Sequence, residues 1–243
     1  MNKEKLKWKP AYEDYHLVVL RGGEPTEVRV CAHGYDEQGE IRSTLYCTRD
    51  GIFMQRNSDG WTELRANTSP AKLRSKLGKG SHYPQMQHHG HLSCHILVCT
   101  AFYGPRPTFR VPDTNQPSVC GGKEPSHTAP LCRTATSDAT VLVKAECDHI
   151  NGSNLDWSAD NLRWVTTAEN IRCGRYLKRL RKHGIDPKRL RYSLLLALYD
   201  LTWEQFEECL QRFDEYCNAD PSPLSEAAIE GDLFRAHMNV SNV

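Results

Sequence analysis

The segment from Val141 to Arg175 constrains the fold of this chain more than any other stretch. Apolar residues alternate at Val141, Val143 and Ala145, and a period of two predicts a β-strand that delivers Asp148-His149 to its end. The Asn-Gly and Ser-Asn pairs that follow indicate a tight turn at 151–154. A second apolar run, 161–165, predicts a return strand, and Thr166 or Thr167 then caps a helix.

The polar residues of this segment favour one kind of chemistry. Asp148 offers the hard oxygen ligand that Mg²⁺ or Mn²⁺ prefers, and Asn161 offers a neutral carbonyl oxygen. Because successive strand residues face opposite ways, His149 would address a water molecule from another side. One metal ion that bridges a phosphate beside a general base makes a phosphodiesterase site.

These motifs resemble the HNH endonuclease family, of the phage and homing type that lacks paired CxxC zinc knuckles. The resemblance covers residues 80 to 175 and rests on Asp148-His149-Ile150-Asn151-Gly152, on 160–166 with Glu169-Asn170, and on the lead-in His95-Ile96-Leu97-Val98. It implies a ββα-metal finger, a divalent ion (Mg²⁺ or Mn²⁺) and DNA strand cleavage. By that match His149 is the general base, and Asp148 and Asn161 are the metal ligands.

Three features depart from the family pattern. Asp156-Trp157-Ser158 stands where the family has a turn similar to Asp-Asn-Arg, and Ile96 replaces a basic residue after the upstream histidine. The segment between the two motifs is also longer than expected. None of these changes removes the acid, the base or the asparagine, so the sequence remains compatible with an active enzyme.

Charge is segregated along the 243 residues, although the net charge is only +1. Between 171 and 191 nine basic residues face one acid, whereas 200–235 holds ten acids and two arginines. A solvated helix face normally mixes signs, so we expect the basic stretch to contact phosphates. The predicted DNA-binding residues are Arg163, Arg172, Arg175, Lys178, Arg179 and Lys182.

The acidic stretch carries a second prediction. A capping box at Thr202 and Gln205 and an apolar stripe predict a helix from Trp203 to Tyr216, after a shorter one at 193–199. Its acidic face would be repelled by DNA, which favours a packing helix or a surface for a protein partner. A short helix and a frayed end are expected beyond Pro221.

The expected fold is α+β, in three parts. Residues 1–80 form a β-rich N-terminal region, in which 42–47 and 51–55 pair as a hairpin. Residues 81–175 form the nuclease core, with an irregular insertion at 108–140 that is rich in Pro, Gly, Ser and Thr. Residues 176–243 form a basic helix followed by the acidic helical region.

Other candidate ligand sites are weaker. Five histidines occur between 82 and 95, and Cys120, His127 and Cys132 lie in the insertion, but none has standard zinc spacing, so zinc is not expected. His95 more simply begins a helix and supports the active-site sheet from behind, or is an ordinary core histidine. The cations between Arg65 and Lys79 could contact phosphate or form a solvated loop.

Composition favours a protein of the cytoplasm, and the resemblance to phage-type HNH enzymes implies a bacterial or phage-infected cell. The ten cysteines lack any CxxC pair and are expected as reduced thiols, and no apolar run approaches the 18 residues of a membrane span. The leading function is a metal-dependent DNA endonuclease. The alternatives are a nucleic-acid-binding module that no longer cuts, and an assembly protein that uses its acidic helices.

Overall fold

A computed structural model describes residues 6–68, 83–86, 89, 92–112, 140–219 and 226–241, and it has the α+β composition predicted from the sequence. An antiparallel sheet occupies the N-terminal region. Its strands are β1 (Lys7–Pro10), β2 (His16–Arg21), β3 (Glu24–Tyr35), β4 (Ile41–Thr48), β5 (Phe53–Asn57) and β6 (Gly60–Leu64). Their order is β1-β3-β4-β5-β6, and β2 pairs with the first half of β3 while β1 pairs with its second half. The predicted hairpin is confirmed as β4–β5.

Short elements connect this sheet to the centre of the chain. They are β7 (Gln85–Met86), β8 (Leu92–Ser93), helix α1 (Cys94–Tyr103), β9 (Thr108–Pro112) and β10 (Thr140–Lys144). The strand predicted from Val141 is present, but β10 pairs with β9 and ends before Asp148. The interpretation of 108–140 as wholly irregular is therefore wrong at both ends, since 108–112 forms β9 and residue 140 begins β10. Residues 113–139 lie outside the described residues.

The central segment forms two antiparallel strands and a helix. Strand β11 (Glu146–His149) pairs with β12 (Leu162–Val165), so that Asp148 lies opposite Arg163. Helix α2 (Thr167–Lys182) follows at once. Thr166, rather than Thr167, is the cap: its hydroxyl accepts from the Glu169 N–H while the Glu169 carboxylate accepts from the Thr166 N–H. This reciprocal pair satisfies two backbone donors that an open helix end would leave unpaired.

Three further helices complete the chain: α3 (Tyr192–Asp200), α4 (Trp203–Ala219) and α5 (Glu226–Ser241). The last is longer than the short helix expected beyond Pro221. Buried residues of α2 (Cys173, Tyr176, Leu177 and Leu180) share one apolar cluster with α3, α4 and α5. The predicted boundary between 175 and 176 falls inside α2, whose buried residues pack in one cluster with Ile150 and with the C-terminal helices.

A second apolar cluster joins the N-terminal sheet to α1 and β12. Trp157 closes this contact, since its indole Nε1 donates to the Gly51 carbonyl at 2.7 Å. Beside it the Ala159 N–H donates to the Arg49 carbonyl at 2.7 Å, and the Arg49 guanidinium pairs with Asp160 at 2.6 Å. The tryptophan that departs from the HNH pattern thus docks the N-terminal sheet.

No helix among the described residues is both long and apolar enough to cross a membrane.

Gly51 tests the importance of this docking contact. Its φ of 81° disfavours any other residue, and a Cβ placed there would lie 2.6 Å from Trp157 Cδ1. Gly39 is a matched control, because its φ is 85° and an added Cβ would meet no atom within 4 Å. Gly39→Ala should cost about 1–2 kcal/mol through its backbone alone. Gly51→Ala should cost about 1–3 kcal/mol more, because the tryptophan must also move.

Denaturant unfolding of the two variants and the parent chain measures this difference. Equal losses of unfolding free energy would show that the Trp157 side chain moves at no cost and that the docking contact contributes little to stability.

Candidate active site

A cavity of about 200 Å³ opens between the end of β11, the loop after it and the first half of α2. Two residues of the HNH-like motif, Asp148 and His149, lie side by side on its wall. The lining residues are Tyr83, Cys147, Asp148, His149, Gly152, Asn154, Asn170, Gly174 and Leu177.

His149 is buried in a cluster of rings. Its imidazole stacks on Tyr83 with 5.7 Å between centroids and 12° between planes, and the ring of His95 lies 5.2 Å away. Nε2 of His149 has no hydrogen-bond partner among the described residues. Burial lowers the pKa of His149 to about 4, so the ring is neutral at pH 7, although it accepts a proton less readily than an ordinary imidazole. His95 on α1 belongs to the same cluster of rings, which is compatible with both interpretations that the sequence left open, a support for the site and an ordinary core histidine.

Asp148 lies beside the base and is held by Arg163. The guanidinium Nε and Nη2 donate to Asp148 Oδ2 at 3.1 and 3.0 Å. Burial raises the pKa of Asp148, and the positive charge of Arg163 opposes that rise. Arg163 also donates to Cys173 Sγ and lies over the ring of Tyr199. In this structure Arg163 forms an ion pair within the site, and its contact with DNA phosphate stays a prediction.

Asn161 closes the loop between β11 and β12. Its side chain is fully buried: Oδ1 accepts from the Asn151 N–H at 2.9 Å, and Nδ2 donates to Asn151 Oδ1 and to the Asp156 carbonyl. The amide thus satisfies polar groups of the turn, and Asn161 does not line the cavity. The structure does not bring Asn161 to the cavity as the second ligand predicted from the sequence.

Asn170, which the sequence analysis left without a role, lines the cavity instead. Its Nδ2 donates to Glu146 Oε2 at 2.6 Å, and Glu146 Oε1 accepts from the Thr167 hydroxyl. These two bonds lower the pKa of Glu146. An ionised carboxylate only accepts hydrogen bonds, so it fixes the amide with Nδ2 towards Glu146 and Oδ1 away from it. The sequence signal for this position of Asn170 was its spacing from Gly174 and Leu177, which places all three residues on one helix face.

The predicted DNA-binding cations fall into two groups. Arg179 is committed to Glu207 of α4, with its Nε and Nη2 at 3.1 and 2.6 Å from Oε2. The remaining cations of α2 are exposed, and none of them forms an ion pair with a described residue. This second group is Arg172, Arg175, Lys178 and Lys182.

Most residues of the alternative metal sites lie outside the described part of the chain. Cys120, His127, Cys132, three of the five clustered histidines and the cations from 69 to 79 lie outside the described residues. Within the described ranges, no three side chains of His, Cys, Asp or Glu are gathered as a set of metal ligands. The cysteines of those ranges are free thiols.

Comparison of the chain with protein-family models, curated proteins and solved structures found no match. The resemblance to HNH endonucleases therefore rests on the sequence motifs alone.

The two asparagines should differ sharply in their effect on stability. Asn161→Ala leaves the Asn151 N–H and the Asp156 carbonyl without their partner, and we expect a loss of about 2–4 kcal/mol in the free energy of unfolding. Asn170→Ala, at a half-buried position, should cost about 1 kcal/mol or less. Denaturant titrations in EDTA separate these effects from metal binding. A larger loss for Asn170→Ala would mean that Asn161 is not the residue that holds the loop.

Proposed function

We propose that this protein is a divalent-metal-dependent DNA endonuclease whose β11–β12–α2 unit acts as the ββα-metal core of an HNH enzyme. One observation carries the proposal: a carboxylate, a neutral imidazole and an oriented amide converge on one cavity, on Asp148, His149 and Asn170. Helix α2, which lines the cavity with one face, carries exposed cations on the neighbouring face.

The residues of the cavity fit a Mg²⁺ or Mn²⁺ ion. Asp148 and Asn170 supply a carboxylate and an amide oxygen, which are hard ligands, and Mg²⁺ usually retains several waters beside one or two protein ligands. In this assignment Asn170 takes the ligand role first predicted for Asn161, which positions the loop. A divalent ion bound there would offset the negative charge that develops on the phosphate and the leaving oxygen.

His149 supplies the proton transfer. Because burial keeps its imidazole neutral, it can take the proton of an attacking water as that water adds to phosphorus. Tyr83 and His95, whose own rings lie 4.4 Å apart, pack together against the His149 ring and limit its rotation. Arg163 supports the ionised form of Asp148. Glu146 keeps the Asn170 oxygen directed away from itself.

The exposed cations of α2 position the DNA backbone. Arg175, Lys178 and Lys182 follow the spacing i, i+3, i+7, so they share one helix face, next to the face that lines the cavity. Lysine and arginine bind phosphate without reading the bases, so these residues should hold the backbone of any sequence.

Plasmid cleavage tests the proposal. The wild-type chain should nick or cut DNA with Mg²⁺ or Mn²⁺ and fail in EDTA, and His149→Ala should lower the rate about 10²–10⁴-fold through loss of the base. His16→Ala, at an exposed position of β2, is the control and should cut at the wild-type rate. If the wild-type chain binds DNA but never cuts it, the binding-only alternative is correct.

The salt dependence of binding tests the assignment of the basic face. Each of Arg175→Gln, Lys178→Gln and Lys182→Gln should lower the slope of log K against log salt by about one, because each removes one phosphate contact. Arg212→Gln removes the same charge from α4, where Arg212 pairs with Glu208, and should leave the slope unchanged. Fluorescence anisotropy with EDTA present gives the slopes. If the three variants of the basic face keep the slope of the parent chain, as Arg212→Gln should, the DNA lies on another surface.

A further inference from the structure

A groove lies between α2 and the start of α4, beside the catalytic cavity. Its volume is about 560 Å³, and five of its six lining residues are cations. The sixth is Trp203, the first residue of α4. The lining residues are Arg175, Lys178, Arg179, Arg181, Lys182 and Trp203.

Trp203 presents a fixed aromatic surface in this groove. Its side chain is exposed to 41%, although tryptophan is among the largest apolar residues. Tyr176 lies 5.4 Å away edge to face, and Phe206 lies at 5.7 Å, so the inner side of the indole rests on the core. The capping box of Thr202 and Gln205 fixes the start of the helix. The indole is thus held in place without being covered.

The charge of the groove selects a polyanion. Two acids of α4 lie near α2: Glu207 is paired with Arg179, and the exposed Glu204 is close enough to Tyr176 to contribute to the rise in its pKa, so the cations of the groove outnumber the acids beside it. The ion pairs of the described residues leave Arg175, Lys178, Arg181 and Lys182 to face solvent. Cations alone would suffice for the phosphates of a closed duplex. An exposed indole among them adds a surface on which an unpaired base can stack, and bases stack on aromatic side chains in proteins that bind single strands.

We propose that this groove binds a single-stranded segment of DNA, with one base stacked on Trp203 and adjacent phosphates on Arg175, Lys178 and Lys182. The proposal rests on the proposed function, since it names the form of DNA that the same protein engages. Asn170 lines the cavity and Arg175 lines the groove five residues later, which is roughly 8 Å along the helix axis. A strand that leaves the cavity would therefore reach the groove within a few nucleotides.

Binding in EDTA tests this inference without any need for cleavage. The probes are a blunt duplex, the same duplex with a single-stranded extension, and the single strand alone. Trp203→Leu should weaken binding of the single strand and of the extended duplex about 5- to 150-fold, the range of one lost stacking contact, and leave the blunt duplex unchanged. Trp203→Phe, which keeps an aromatic face, should retain most of the affinity.

Intrinsic fluorescence supplies a second readout. The chain has five tryptophans, so quenching by the single strand must be assigned with variants. The quenching should disappear in Trp203→Phe and persist in Trp61→Phe, whose tryptophan packs on Tyr46 in the N-terminal sheet. Thermal unfolding of Trp203→Phe and of the parent chain is the control: matching transitions show that the loss of quenching is not caused by a loss of folding.

The outcomes separate the two proposals. If the wild-type chain binds all three probes and Trp203→Leu binds each as tightly, the groove proposal is wrong while the endonuclease proposal stands. If the wild-type chain binds no DNA at all, both are wrong. If a poly-glutamate peptide binds in a Trp203-dependent way and the single strand does not, the groove is a protein-docking surface and the proposal is overturned.

Discussion

The buried amide of Asn161 is the contact on which the site depends. It joins both ends of the loop between β11 and β12 by bonding Asn151 and Asp156, and so fixes where Asp148 and His149 emerge. Helix α3 reinforces the same loop, because the Tyr199 hydroxyl donates to the Ile150 carbonyl at 2.6 Å. The C-terminal helices are therefore part of the scaffold that holds the candidate site.

The two ends of the chain are bound to this centre by different forces. The N-terminal sheet docks through one apolar cluster and the indole of Trp157. The C-terminal helices dock through a larger apolar cluster and through charge: Arg179 of α2 pairs with Glu207 of α4, and His183 lies 3.1 Å from Asp214. The segregated charges of the sequence are thus partly complementary within the fold, and what remains unpaired on α2 defines its basic surface.

Local patterns predicted local structure well. A helix cap at Thr166 or Thr167, the hairpin β4–β5 and the juxtaposition of Asp148 with His149 all follow from residues close in sequence, and the structure selects Thr166 as the cap. The roles of the two asparagines could not be predicted, because both offer the same amide and only the packing decides which one faces the cavity. The ion pairs of Arg163 and Arg179 were also hidden, since their partners lie 15 and 28 residues away.

A crystal of the protein soaked in Mn²⁺ gives the most direct test of the central claim, that Asp148 and Asn170 form a divalent-metal site beside His149. Anomalous diffraction should show one strong peak at coordination distance from the Asp148 carboxylate and Asn170 Oδ1, and the peak should vanish in Asp148→Ala. A protein that keeps its fold but shows no peak in this cavity, or a peak held by other residues, would contradict the account.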